Sequence, residues 1–265
     1  MASRKEQKEA ARQRRLAEER ARAERARRDR RLRMLGGTLI GAIAVVAVAI
    51  AISSGGSSAT VVAPNSAAAK QAQTKVNSLL AGIPQQGNTL GSPSAKVTLT
   101  EYGDLVCPVC KDFALGAENQ LIANEVRQGK VKVVYKALET ASQQANDSMF
   151  VPSQTAALAA GNQKKAWNYI ELFYHEQGDE SSSYVTDKYL SGLAAQVPGL
   201  NVSQWGSDRQ SSALSSQVTA DEQAAAAAGF NSTPTLVVSG PKSQAQPIVG
   251  DATYGELQSK IQSVS

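Results

Sequence analysis

The sequence predicts an α/β core interrupted by an inserted helical block, preceded by a basic tail and one transmembrane helix. Three observations carry this. Runs rich in β-branched residues at 95–102, 131–138 and 235–239 flank a long stretch, 140–229, with only helical patterns. That order describes one core with an insertion, not two domains in tandem. The only two cysteines, Cys107 and Cys110, stand three positions apart, between the first strand and a helix-compatible run. Finally, an uncharged apolar run at 34–52 follows directly on an arginine-rich tail.

Residues 1–33 hold fourteen Lys/Arg against six Asp/Glu, a net of +8. The rest holds 14 against 17, a net of −3, so the overall +5 belongs to the tail. The tail consists of good helix formers, with pairs such as Glu18 with Arg22 and Glu24 with Arg28 in the favourable order. It has too few apolar residues for a core of its own. The folded part offers no broad basic face, so no nucleic-acid partner is expected.

The run 34–52 has about the length that a helix needs to cross a bilayer. Arginine-rich flanks stay cytoplasmic, which predicts a single-pass cell-membrane protein with an extracytoplasmic domain. The tail is also expected to attract anionic lipid head groups. A cleavable signal peptide is the rival reading, since Ala49 and Ala51 are small residues in a −3/−1 arrangement. The long basic region and the long apolar run favour an uncleaved anchor. Either reading exports the domain.

Residues 53–69 read as a flexible Ser/Gly/Ala linker, and the folded domain is placed at 70–265. Val76, Leu79, Leu80 and Ile83 predict a short amphipathic helix, and 87–93 is turn material. The helix carrying the cysteines is expected over 107–128, with Phe113, Leu115, Leu121, Ile122 and Val126 on its buried face. Helical stretches follow at 154–160, 164–174, 184–196 and 202–216, and the insertion is placed at about 140–216. An alanine-rich helix at 219–228 ends at Gly229. Strand character returns at 235–239 and 247–249, and a short helix with Tyr254, Leu257 and Ile261 closes the chain.

At the start of a helix, free N–H groups and the macrodipole favour a thiolate, the form that attacks disulfides. Cys107-Pro108-Val109-Cys110 therefore reads as a redox pair. A zinc site needs about four ligands, which one CxxC and the single His175 do not supply. A structural staple across so short a loop removes little chain entropy. Two unrelated buried thiols are the remaining alternative. No phosphate-cradling or metal-ligand pattern is visible, so no cofactor is expected.

The element order with CPVC at the first helix resembles the thioredoxin superfamily, and more closely the DsbA-type thiol–disulfide oxidoreductases, especially membrane-anchored actinobacterial members. The resemblance covers about residues 76–264. Gly82-Ile83-Pro84 with Leu90-Gly91-Ser92-Pro93 is similar to the family's lead-in. Glu101-Tyr102-Gly103-Asp104-Leu105-Val106 before the cysteines resembles its first core strand and turn. Ser232-Thr233-Pro234-Thr235 looks like its cis-proline loop.

The resemblance implies a thioredoxin-like core and assigns roles. Cys107 is the partly exposed attacking sulfur, and Cys110 the buried resolving thiol. Pro108 and Val109 form the active-site turn. Thr233 and Pro234 bind an extended substrate segment by strand addition. Glu101 matches a buried acidic residue that relays protons to Cys110, against the alternative of a solvated strand-end carboxylate. Asp104 ranks lower because it lies in the turn. His175 reads as a helix-surface residue, and the aromatics of 167–174 as core of the insertion.

DsbA-type oxidases often carry histidine where this chain has Val109, which implies a less extreme oxidant here. The implied activity is introduction of disulfides into exported, cysteine-containing or unfolded proteins. The family also implies a quinone-linked membrane reoxidase of the DsbB or vitamin K epoxide reductase type. A disulfide isomerase or reductase on the same scaffold, and a tethered binder of unfolded chains without turnover, stay open.

Overall fold

The computed structural model describes residues 66–142 and 149–265. The basic tail, the apolar span and most of the linker lie outside the described residues. Among those described, no helix is long and apolar enough to cross a membrane.

Ser66 opens the first helix, accepting from Ala69 N, so α1 (Ala67–Leu80) begins inside the stretch read as linker. It buries Ala69, Ala72, Val76 and Leu80. Of the four predicted residues, Val76 and Leu80 are buried within the helix, Leu79 is only partly buried, and Ile83 is buried beyond the helix end. The segment read as turn material contains a tight hairpin, β1 (Gln85–Gln86) and β2 (Thr89–Leu90), around Gly87 at φ +55°. Strands of two residues have no periodicity to read. Asn88 fastens the hairpin, its side chain donating to Tyr135 O and its carbonyl accepting from Tyr135 N and the Trp167 indole.

β3 (Val97–Gly103) is the central strand, parallel to β4 (Val131–Ala137) and antiparallel to β5 (Thr235–Ser239). With β6 (Ile248–Val249) at the far edge, the sheet order is β1-β2-β4-β3-β5-β6. Along β3 the two-residue alternation sends Val97, Leu99 and Glu101 to one face. Val97 and Leu99 there enter the main core, whereas Tyr102 joins Leu138, Ala225 and Val237 in a second cluster.

The active-site helix is not a uniform α-helix. After α2 (Pro108–Phe113) it widens into a π-helical turn (Ala114–Glu118), returns to α as α3 (Asn119–Leu121), and widens again (Ile122–Val126). Phe113, Leu121, Ile122 and Val126 are buried as expected, while Leu115 is only partly so.

Between β4 and β5 run α4 (Phe150–Asn162), α5 (Ala166–His175), α6 (Asp187–Ala194), α7 (Val202–Asp208) and α8 (Ser212–Ala227). The helix boundary expected near 216 falls inside α8; the break comes earlier, at Ser211, which caps Ala213 N. Trp205 explains the break. It is buried with its indole on Ala156 O and its ring stacked on Tyr169, whereas α8 buries Leu214, Val218, Asp221 and Ala225. The chain changes direction to satisfy both faces. Gly229 follows at φ +76°. The aromatics of α5 are core, with Phe173 packed on Tyr184 and Tyr189. The closing helix α9 (Tyr254–Val264) starts with a full capping box between Thr253 and Glu256.

Candidate active site

Cys107 is the N-cap of α2, with extended backbone (φ −69°, ψ 123°) and Pro108 in the first turn. Proline fits there because its missing N–H would have no helical partner. Cys110 lies one turn in and is 0% exposed; both thiols are free. Cys107 is more enclosed than expected, at 5% exposure, because the Thr233 loop covers it. Its Sγ lies 3.7 Å from Thr233 O. The two turn residues do face outward: Pro108 and Val109 are exposed, Val109 at 39%.

The Thr233-Pro234 peptide is cis, and both residues are buried beside Cys107. The register Tyr102↔Thr235 brings this loop to the end of β3. The structure thus unites Cys107, Cys110, Thr233 and Pro234.

Electrostatics separate the thiols. The Cys107 pKa falls from an ordinary 9.0 to about 6, chiefly through a hydrogen bond from the Cys110 thiol. Burial opposes the shift, and the Thr233 hydroxyl and the backbone N–H groups of Cys110 and Val109 assist it. Cys110 moves the opposite way, well above 9.0. Burial dominates there, followed by its hydrogen bond to Cys107 and the charges of Cys107 and Glu101. One sulfur is therefore built to be a thiolate and the other to keep its proton.

Glu101 is fully buried, which excludes the solvated strand-end alternative. Burial pushes its carboxyl up to about 8, lowered somewhat by a hydrogen bond with Glu118 and raised by the charge of Cys107. Gly103 makes the room: a Cβ there would come within 2.8 Å of the Tyr135 ring and 3.1 Å of Glu101 Oε1.

Asp104, ranked low from sequence, is also fully buried and holds the active-site turn. It accepts from Val106 N, Thr140 N, Ser142 N and the Ser142 hydroxyl at 2.9–3.1 Å. The Thr140 hydroxyl in turn bonds the Thr233 hydroxyl. Gln177 ties in the helical block, its amide donating to Leu105 O (2.8 Å) and Cys107 O (3.0 Å). His175 is half-buried rather than on the surface, because α1 packs over it near Lys75.

Sequence reading missed Glu118, Glu171, Thr140 and Gln177. The two glutamates left a trace: each interrupts a buried helical stripe, Glu118 between Ala117 and Leu121, Glu171 between Trp167 and Tyr174. The other two left none, since their role depends on loops meeting in space.

A family model described as Thioredoxin matches residues 85–261. The chain is 26% identical over 180 residues to disulfide bond formation protein D of Bacillus subtilis, covering 65% of this chain and 74% of that protein. The crystal structure of oxidised BdbD from Bacillus subtilis superposes with a TM-score of 0.58 at 21% identity, covering 68% of this chain and 96% of that one. DsbA2 of Pseudomonas aeruginosa gives a TM-score of 0.54 at 21% identity, over 69% and 97%.

Proposed function

The chain belongs to the thioredoxin family and is a DsbA-type disulfide oxidoreductase, and we propose that it works outside the cytoplasm, introducing disulfides into exported proteins. The observation that carries the direction is the split between the thiols, Cys107 held down at about 6 and Cys110 raised. A stabilised Cys107 thiolate stabilises the dithiol form, and that makes the disulfide a better oxidant.

In the forward reaction a substrate thiolate attacks Cys107 Sγ. The Cys107–Cys110 bond breaks, its electron pair stays on Cys110, and that sulfur takes up a proton. A second substrate thiolate then attacks the substrate sulfur of the mixed disulfide and expels the Cys107 thiolate. Two electrons have moved from substrate to enzyme. Buried and protonated at neutral pH, Glu101 is the group that can supply the proton to Cys110. Thr233, whose backbone borders Cys107, serves as the platform for an extended substrate segment.

Turnover then requires a reoxidase, which the family implies to be a quinone-linked membrane protein. The apolar span at 34–52 supports a tether beside such a partner, and the arginine-rich tail supports contact with anionic lipid.

Trapping tests this reading. A Cys110→Ala protein expressed in cells should hold secreted cysteine proteins through Cys107, and the wild type should be found mainly oxidised. A mainly reduced wild type would point to the isomerase or reductase direction. An absence of trapped proteins would remove the exchange reading.

A further inference from the structure

Three glutamates gather on the buried side of Cys110, each from a different element: Glu101 of β3, Glu118 of the active-site helix and Glu171 of α5. All three are 0% exposed. Among the described residues, no donor group gives a hydrogen bond to either oxygen of Glu101 or of Glu118, or to Oε2 of Glu171. The buried hydroxyls of Tyr135 and Tyr174 share this environment. Tyr174 is within reach of the charges of Cys110, Glu101 and Glu118, and Tyr135 of those of Cys110, Glu101 and Asp104.

Among the described residues, the charges acting on these carboxyls are one another's and that of Cys107, with no cation among them. A buried carboxylate without a cation is costly, and neighbouring ones repel, so the three cannot ionise together. They keep protons among themselves. A protonated Glu118 becomes a donor to Glu101, which supplies the bond that two carboxylates would lack. Glu171 is linked to the surface through Asn119. With its amide nitrogen toward its acceptors, Asn119 donates to Glu171 Oε1 and Ala114 O, both at 3.2 Å. Asn119 also lines an open groove with Thr74, Lys75, Leu115 and His175.

We propose that Glu118 and Glu171 extend the path of the Cys110 proton beyond Glu101, along the seam between the active-site helix and α5, to the groove at Asn119. The inference rests on the reading of Cys107 and Cys110 as an exchanging couple. It meets a need set by burial. Cys110 is fully enclosed and Cys107 nearly so, and a substrate bonded to Cys107 closes that face further. When the disulfide is reduced, the electron pair stays on Cys110 and Glu101 gives it a proton. Glu118 replaces the proton of Glu101, Glu171 that of Glu118, and solvent in the groove that of Glu171. Resolution of a mixed disulfide runs the transfers backwards. Only sulfurs change oxidation state.

The test uses the full chain carrying a cysteine peptide disulfide-bonded to Cys107, with resolution by Cys110 followed by stopped flow from roughly pH 5 to 9. Glu118→Gln and Glu171→Gln should each slow resolution at least about tenfold near neutral pH and flatten its pH profile. The absorbance titration of the Cys107 thiolate should stay in place, and acetate should restore the rate in Glu171→Gln, beside the groove. Rates within about twofold of the parent, or slowing by one factor at every pH without rescue, overturn the relay.

Cys110→Ala is the control for the couple itself. Release of peptide that persists there sinks the exchange reading and overturns the relay with it, since no Cys110 proton then moves; release that is lost there but stays at the parent rate in both glutamine variants overturns the relay alone. If a glutamine variant does not fold, the redox-difference infrared spectrum of the wild type decides. Perturbed bands from more than one protonated carboxyl support the relay; one band or none overturns it.

Discussion

Cys107 Sγ lies 3.7 Å from the carbonyl oxygen of Thr233, a residue 126 positions further along the chain. The contact belongs to a bonded unit: Thr233 to Thr140 through their hydroxyls, Thr140 N to Asp104, and Asp104 to Val106 N at the edge of the cysteine turn. Cys107, the Thr233 loop and the chain just after β4 therefore hold one another in place.

The Cys107 thiolate should titrate with a midpoint near 6, read by its ultraviolet absorbance or by alkylation rate. Because the Cys110 thiol is the first cause of the lowered value, Cys110→Ala should move the midpoint upward. The sign for stability follows. A depressed thiol pKa stabilises the folded dithiol form above the unfolded thiol's value of about 8.5, and the gain is lost as pH falls through 6. Denaturation of the reduced and oxidised forms across that window should show the difference shrinking toward acid. A midpoint at or above 8 in the wild type would contradict the structure.

Val109 is exposed and carries no charge or donor, so Val109→His should add a thiolate partner beside Cys107. The Cys107 midpoint should drop and the couple should become more oxidising, by about 30 mV for each 1.4 kcal/mol of added thiolate stabilisation. Equilibration with glutathione measures this. An unchanged or more reducing potential would show that the side chain at 109 does not reach the sulfur.

Asp104→Ala removes the acceptor of three backbone N–H groups and the Ser142 hydroxyl, all buried except the partly buried Thr140 N–H. Leaving such donors unpaired should cost roughly 3 kcal/mol or more in chemical denaturation. Exchange activity should fall with it, since the turn and the Thr233 loop lose their common anchor. A loss below about 1 kcal/mol would mean that the donors find other acceptors.

Glu101 holds a proton in the folded protein up to about pH 8, whereas its ordinary value is 4.5. The unfolded chain releases that proton first, so stability is present in full below 4.5 and declines as pH rises toward 8. The slope is at most about 1.4 kcal/mol per pH unit for one such group. Glu101→Gln should flatten this decline in the oxidised protein, where the Cys107 titration is absent. An unaltered pH–stability curve would place the proton on another group.

Much of this was legible in the chain. The CPVC turn names the exchanging pair, and the resemblance names Thr233-Pro234 as its neighbour, whereas Glu101 stayed open between a buried relay and a solvated strand end. The hairpin at Gln85–Leu90 was not legible, because two-residue strands are made by their partners and not by a pattern. Nor was the break at Ser211, where neither glycine nor proline marks the chain and the burial of Trp205 decides the turn. Glu118 and Glu171 were passed over because charged residues on helices usually face water.

By itself, then, the sequence determined the redox-capable pair, two thiols at a helix start in an α/β frame, and the resemblance implied a distant Thr-Pro beside them. Only the tertiary structure decided how protons are apportioned. Proton affinity depends on burial and on the groups within a few ångströms. Cys107 and Cys110, three residues apart, are driven in opposite directions because the Cys110 thiol and the Thr233 hydroxyl favour the Cys107 thiolate, while burial, the bond to Cys107 and the charges of Cys107 and Glu101 keep the proton on Cys110. Spacing along the chain does not relate Thr233, or the core that encloses Cys110, to the pair.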